Sequence, residues 1–321
     1  MPALLRDTEA ASDMNHGRDA IAKDDGAIDL HQHSLNAVVG RNKSLWRPAR
    51  KWTQAHLRAL CVDRQSSTFV DDLDGVDHQR SLHALIPDLP EERLKHFVNK
   101  MRVVVPSVAR ANALDTLLRF QDAPRRSEHK DVSFSNRYRV IKLVVGSHAY
   151  RLLPSLYVFS LGPLVLPFID SREIARPPNI HRPVDRSQIS NQLYEPCIAA
   201  VLIALAQEKE NAGSSTDGSA VKQTQLLFTH FDDRQDMYVY TARISEHLLD
   251  RFRHPNQRPK SYACSHTTPP PLIKLEHRRV PYEPHDTFRQ RMLAACRSRL
   301  PPCIRMTTLV HRNKISRMHT M

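Results

Sequence analysis

The stretch QLLFTHFDDRQDMYVYTARI, residues 225–244, decides the fold of this chain. Residues 225–231 and 237–244 are two runs of mostly apolar, aromatic and β-branched side chains, a composition that is typical of strands. The polar link between them, residues 232–236, has a length that joins antiparallel neighbours. The sequence therefore predicts an antiparallel hairpin here, and the neighbouring elements can be assigned from it in both directions.

The segment before this hairpin, residues 188–207, contains the most apolar helix candidate of the chain. Every residue from 198 to 205 is apolar, so a helix at this place has no polar face. A helix that is apolar all round is buried on several sides in a globular fold. Pro196 is expected either to begin this helix or to kink it.

The segments after the hairpin add a helix, a strand and a second helix. Ser245 is placed to cap a short helix, residues 272–280 have the pattern of a strand, and Asp286 is placed to cap the last helix. Apolar runs upstream, at 140–145 and 156–159, predict two further strands. We expect an α/β or α+β fold in which helices cover a mixed sheet that contains the antiparallel hairpin.

The chain is expected to divide into four parts. Residues 1–45 are polar and acidic without a helical stripe of apolar residues, which predicts a disordered arm. Residues 46–122 carry two helix patterns, the first of which begins with a capping box at Asp88, so we expect a small helical subdomain or a helical layer against the main core. Residues 137–300 hold the mixed α/β core, and residues 301–321 form a basic tail.

Glycine and cysteine usage excludes several classes of site. The chain has only 8 glycines and neither a GxGxxG nor a GxxxxGK[ST] pattern, so we expect no nucleotide cofactor. Its cysteines are odd in number and widely separated, without a CxxC pair, which argues against a disulfide framework and a structural zinc site. The five are Cys61, Cys197, Cys264, Cys296 and Cys303.

One apolar segment, residues 152–169, is long enough to be weighed as a membrane span. Three prolines interrupt it and would leave backbone groups unpaired in lipid, so a buried strand followed by a turn is the better interpretation. The N-terminus also lacks the apolar run of a secretory leader. Together with the cysteine pattern, this predicts an intracellular protein of the nucleus or cytoplasm that does not enter a membrane.

Positive charge is the strongest functional signal, because the formal net charge of the chain is +13. After Asp286 there are eight Lys and Arg residues and no Asp or Glu, and the Trp-bearing stretch 41–64 is also basic. Such charge either attracts phosphate through counterion release, whatever the base sequence, or is only solvated surface. The candidate nucleic-acid contacts are Arg289, Arg291, Arg297, Arg299, Arg47, Arg50 and Lys51.

Acidic side chains cluster at the hairpin and at the start of the apolar helix. Two or three carboxylates that converge with a histidine could hold Mg²⁺ or Mn²⁺ and activate a water, although a solvent-facing polar turn explains them too. The candidates are Glu195, His230, Asp232, Asp233 and Asp236. The order of a helix glutamate and hairpin aspartates is similar to that of the PD-(D/E)XK nuclease-like superfamily. That superfamily also has an acid and a lysine on its second core strand, whereas residues 238–243 hold neither.

These residues leave three functions open. The first is a non-enzymatic or degenerate basic α/β protein that binds nucleic acid or another polyanion. The second is a divalent-metal-dependent phosphodiesterase or nuclease, and Mg²⁺ or Mn²⁺ would be needed only in this case. The third is a protein-interaction module without a cofactor. We favour the first, because the net charge supports it directly.

Overall fold

A computed structural model of the chain shows the predicted mixed α/β fold, in which helices and a hairpin cover the two faces of one sheet. The residues that the structure describes are 30, 33–41, 51–65, 68–69, 90–103, 107–118, 137–153, 156–161, 164–174, 194–211, 221–230, 233–258 and 270–297. Residues 1–29 of the predicted arm and all of the predicted basic tail lie outside this set.

The described residues contain ten strands, eight of which form the main sheet. They are β1 (Val62–Arg64), β2 (Thr68–Phe69), β3 (Arg137–Arg139), β4 (Lys142–Val145), β5 (His148–Arg151), β6 (Leu156–Leu161), β7 (Leu164–Asp170), β8 (Val221–Thr229), β9 (Asp236–Ser245) and β10 (Ile273–Pro281). The order across the main sheet is β1–β10–β9–β8–β7–β6–β3, with β2 also on β10. The sheet is mixed, because β1 and β2 run parallel to β10 and β7 runs parallel to β8.

The described residues also contain eight helices, which are divided between the two faces of the sheet. They are α1 (Leu35–Arg41), α2 (Gln54–Ala59), α3 (Glu91–Arg102), α4 (Ser107–Leu118), α5 (Ser171–Ile174), α6 (Glu195–Asn211), α7 (Glu246–Arg253) and α8 (His285–Arg297). The first face packs against α1, α2, α6, α7 and the separate β4–β5 hairpin, and the second face packs against α3, α4 and α8. Within the described residues, no helix combines the length and the apolar character that crossing a membrane requires.

The predicted hairpin is confirmed as β8 and β9, which pair in antiparallel register along their length. Leu227 lies opposite Val239, and Phe228 lies opposite Tyr238. Phe228 and Tyr238 belong to the core on the first face, whereas Leu227 and Val239 belong to the core on the second. Both faces of these strands are therefore buried, which explains why apolar residues follow one another here instead of alternating with polar ones.

The predicted apolar helix is α6, and residues 195–207 of this helix are all buried. Pro196 lies in the first turn, where its missing N–H group breaks no helical hydrogen bond, so it begins the helix and does not kink it. Near the other end, Gln207 exchanges hydrogen bonds of 2.9 and 2.8 Å with the backbone N–H and carbonyl of Val144. This contact fixes β4, and with it the β4–β5 hairpin, against the helix.

The N-terminal elements that the structure describes pack against the same core. α1 buries Leu35, Val38 and Val39 on the first face, although these residues fall in the arm predicted over 1–45. β1 and β2 pair with β10 at the edge of the main sheet, so residues 46–122 contribute strands as well as helices. A strand of three residues with one apolar side chain shows no alternating pattern, and for this reason the sequence predicts helices alone.

In the apolar segment 152–169 the predicted buried strand is β6, and residues 164–169 belong to a second strand, β7, which was not predicted. β6 and β7 are antiparallel, with Phe159 opposite Leu166, and both of these side chains are fully buried. Pro167 of β7 lies opposite Val158 of β6. β8 pairs only with residues 168–170 of β7, which follow this proline. The missing N–H group of this proline therefore interrupts no hydrogen bond to β8.

The burial of α6 predicts a large loss of stability when one of its side chains is shortened. Val201→Ala is expected to lower the free energy of unfolding by about 2 kcal/mol, because it removes buried methyl groups and leaves a cavity. Val221→Ala is the matched control, since Val221 is 45 % exposed and its truncation should change stability by less than about 0.5 kcal/mol. Urea denaturation measures both values, and equal losses would contradict this packing.

Candidate functional site

Four strands that run in one direction end at the same edge of the sheet, and charged side chains gather there. These strands are β2, β7, β8 and β10. In sheets covered by helices on both faces, the carboxyl ends of parallel strands are a common place for ligands. Asp170 and His230 lie at or directly after these ends. Glu195, at the start of α6, is in an ion pair with Arg64, whose strand β1 ends opposite Leu275, near the beginning of β10. We call this region the carboxyl edge.

Glu195 is buried at the carboxyl edge, with 7 % of its surface exposed, and its Oε2 lies 3.4 Å from Nη1 of Arg64. Burial raises the pKa of the Glu195 carboxyl, because the charged form loses its water, and the Arg64 guanidinium lowers this pKa in part. Burial also raises the pKa of the Tyr240 hydroxyl, and the negative charge of Glu195 raises it further. That hydroxyl has no hydrogen-bond partner among the described residues. Both groups therefore lose their protons at a higher pH than they would in water.

The other candidate residues at the hairpin, one histidine and two aspartates, are held by contacts within the fold. The His230 ring packs edge-on against Tyr194, with ring centroids 5.3 Å apart. Asp233 accepts a hydrogen bond of 2.5 Å from the Tyr238 hydroxyl. Asp236 is buried and pairs with Arg279, whose Nε lies 2.8 Å from the Asp236 Oδ2. These side chains are thus engaged in stabilising the turn and the strands on either side of it.

The structure brings no metal-binding group together in the part of the chain that it describes. Within these residues, no three His, Cys, Asp or Glu side chains are placed to hold one ion. Asp232, the remaining acidic candidate, lies outside the described residues. The divalent-metal phosphodiesterase therefore stays a prediction from the sequence.

A second ion-pair centre at the carboxyl edge was not found from the sequence. Asp170 is 1 % exposed and accepts hydrogen bonds from Nη1 of Arg110 at 3.2 Å and from Nη2 of Arg172 at 2.7 Å. Burial lowers the pKa of Arg110, and the Asp170 carboxylate raises it in part. The centre joins α4 and α5 to β7. Its sequence signal is an acidic residue that directly follows the apolar run 164–169.

Two of the candidate phosphate contacts are buried in α8. Arg289 is 4 % exposed and Arg291 is 5 % exposed. The Arg291 guanidinium donates to the Pro284 carbonyl at 2.8 Å and to the Thr287 hydroxyl at 3.3 Å. An external phosphate does not reach a guanidinium buried in this way, so we do not assign phosphate contacts to these two arginines. Lys51, by contrast, is exposed. The side chain of Arg297 and the residues Arg299, Arg47 and Arg50 lie outside the described part of the chain.

Positive charge is instead exposed on the segment that contains β4 and β5. Residues 137–153, which we call the basic hairpin, contain four Lys and Arg residues, one His and no Asp or Glu. Lys142 and Arg151 are exposed and lie directly opposite each other, on the face away from the buried Leu143. Like charges in such positions repel each other across a strand pair. The Nε of Arg151 also donates a hydrogen bond of 3.4 Å to the Leu153 carbonyl. The missed sequence signal is the absence of acidic residues over the whole segment.

A cleft of about 560 Å³ lies between the tip of the basic hairpin and the end of α7. One wall carries the rings of His148 and Tyr150, whose centroids are 6.4 Å apart with an interplanar angle of 27°. The other wall carries Arg253, which is in an ion pair with Glu210, together with three amide side chains. The amides belong to Asn36, Asn256 and Gln257. This cleft could accept a flat, polar ligand between its two walls.

The comparisons with known proteins assign no family to the chain. Neither models of protein families, nor curated proteins, nor solved structures give a match. The functional proposals for this protein therefore rest on its own residues and their geometry.

The burial of Glu195 predicts a cost in stability that depends on pH. Its pKa is raised above the ordinary value of 4.5, so its contribution to stability is present at low pH and is lost as the pH rises through the raised pKa. Glu195→Gln removes this titration. The variant is therefore expected to match the natural chain below pH 4.5 and to be the more stable protein at neutral pH. Urea denaturation over this pH range measures the difference.

Arg64→Gln examines the same ion pair from its other side. The Arg64 cation lowers the pKa of Glu195, so its removal is expected to reduce stability at neutral pH and to have a smaller effect below pH 4.5. In the double variant, Glu195→Gln should cancel the loss at neutral pH, because no buried charge is left alone. A gain from Glu195→Gln that is the same at every pH would refute the titration of this carboxyl.

Proposed function

We propose that this protein binds nucleic acid or another polyanion, and that the basic hairpin is the contact surface. The observation that carries the proposal is the pair of Lys142 and Arg151, two exposed cations directly opposite each other in a segment without acidic residues. Paired strands lie about 4.8 Å apart, so the two cations can bind the same phosphate backbone. A polyanion that contacts both side chains places negative charge between them and so favours their proximity.

The charge of the whole chain supports the same proposal. With a net charge of +13, the protein attracts polyanions over a distance, and counterions released at the contact add affinity. Lys51, which directly precedes α2, belongs to the layer on the first face, as the basic hairpin does. Among the candidate contacts whose side chains the structure describes, it is the exposed one.

The proposed binding needs neither a metal ion nor a nucleotide cofactor. Contacts between cations and phosphates position a nucleic acid but do not read its base sequence. The proposal therefore includes no sequence specificity. We place the protein in the nucleus or the cytoplasm, since nucleic acid is present in both.

Removal of the cation pair is expected to weaken polyanion binding and its dependence on salt. In the variant with Lys142→Gln and Arg151→Gln, the slope of log affinity against log salt should become shallower by roughly 1.5–2, because two phosphate contacts are lost. Fluorescence anisotropy with a labelled DNA duplex, between about 50 and 200 mM salt, measures both the affinity and the slope.

The matched control is the variant with Lys95→Gln and Lys100→Gln. Both lysines are exposed on α3, on the second face, and the change in net charge is the same. This variant is expected to keep most of the salt slope. Equal losses in the two variants would mean that net charge alone sets the affinity, and the basic hairpin would lose its assignment. A natural chain that binds no polyanion at low salt would refute the proposal itself.

A further inference from the structure

We infer that the cleft beside the basic hairpin receives one unpaired base, and hence that the bound polyanion is single-stranded nucleic acid. This inference rests on the proposed function and adds the class of ligand to it. Its support comes from four features of the cleft: an aromatic wall, a polar wall of low net charge, an open strand edge, and a tip that is fixed in place.

The aromatic wall consists of His148 and Tyr150. Tyr150 lies opposite the buried Leu143, so its ring belongs to the inner face of the hairpin, yet 39 % of Tyr150 is exposed. Part of the surface of this large ring is therefore open to solvent, and its burial would be favourable. A base stacked on this ring supplies that packing, and stacking of this kind tolerates any base.

The polar wall offers hydrogen bonds and carries little net charge. Asn and Gln amides can pair with the donors and acceptors on the edge of a base. Asn36 donates from Nδ2 to Oδ1 of Asn256 at 2.5 Å, and its own Oδ1 has no hydrogen-bond partner among the described residues. The Arg253 guanidinium is already neutralised by Glu210. An uncharged ring therefore fits this wall better than a phosphate group does.

The open edge of β5 lets one strand of nucleic acid use both faces of the hairpin. Tyr150 and Arg151 are consecutive, so their side chains point to opposite faces. In the described part of the chain, β5 pairs with β4 alone. A single strand that crosses the edge of β5 facing away from β4 places a base on Tyr150 and its phosphates near Arg151 and Lys142. Duplex DNA does not bind in this way without extruding a base, because its bases are paired and stacked.

Contacts at the hairpin tip hold the two walls together. Gly146 has φ +58°, a left-handed conformation that favours glycine, and a Cβ at this position would lie 3.3 Å from Cγ of Pro255. The Gly146 N–H group donates to the Phe252 carbonyl at 2.7 Å, and the Asn36 N–H group donates to the Pro255 carbonyl at 2.9 Å. The walls are thus joined before a ligand arrives, so binding does not have to order them.

The test compares Tyr150 variants on single-stranded and duplex DNA by anisotropy. The probes are a labelled oligo-dT of about 15 nucleotides and a duplex of the same length. Tyr150→Ala is expected to lower the affinity for oligo-dT by about 5- to 150-fold, the loss of one stacked base, and to change the affinity for the duplex by less than about twofold. Tyr150→Phe keeps the ring and should keep the affinity, whereas Tyr150→Leu should lose it.

Val140→Ala is the matched control, since Val140 is 42 % exposed in the basic hairpin and does not line the cleft. Equal affinities of Tyr150→Leu and Tyr150→Phe for oligo-dT would overturn the inference, and this comparison holds even if Tyr150→Ala fails to fold. If the inference is overturned in this way, salt-dependent binding of the duplex or of heparin would still support the proposed function. Failure of the natural chain to bind oligo-dT, duplex and heparin would overturn both.

Discussion

A helix without a polar face cannot lie at a protein surface, and this constraint on α6 organises the molecule. Its buried residues need apolar partners in every direction, which the sheet, the β4–β5 hairpin, α2 and α7 provide. The helix also lies between β7 and β8 in the chain, and these strands are parallel neighbours. A connection between parallel neighbours has to cross over one face of the sheet, and α6 forms this connection. The parallel pairing of β7 with β8 therefore makes the sheet mixed and also places α6 on its first face.

Several of the charges that this core encloses are arranged in compensating pairs, since a buried charge without a partner is strongly destabilising. The pairs at the carboxyl edge are Glu195 with Arg64, Asp170 with Arg110 and Arg172, and Asp236 with Arg279. Their carboxylates are thus used by the fold at the edge where ligands are usual. The exposed cations of the basic hairpin occupy a segment without acidic residues, and for this reason we place the function there.

Sequence patterns predict the local elements here, and they miss whatever depends on distant segments. The β8–β9 hairpin and α6 each follow from one continuous run of residues. β1 and β2 become strands only through β10, and the cleft joins Asn36, Tyr150 and Arg253, which are neighbours only in the fold. A sequence shows which residues are charged but not which of them are buried, and for this reason Arg289 and Arg291 were predicted to be phosphate contacts. Their long aliphatic stems allow such burial, as the Arg291 bond to a backbone carbonyl shows.

The pairing of β1 with β10 joins a strand that is synthesised early to one that is synthesised late. Residues 33–65 supply apolar side chains and an edge strand, and that strand finds its partner only in residues 273–281. Synthesis runs from the N-terminus at about 5–20 residues per second, so the early segment waits roughly 10–40 seconds for its neighbour to leave the ribosome. During that time its leucines and valines are open to chaperones and proteases. The pairing of this edge strand is therefore among the last steps in the formation of the sheet.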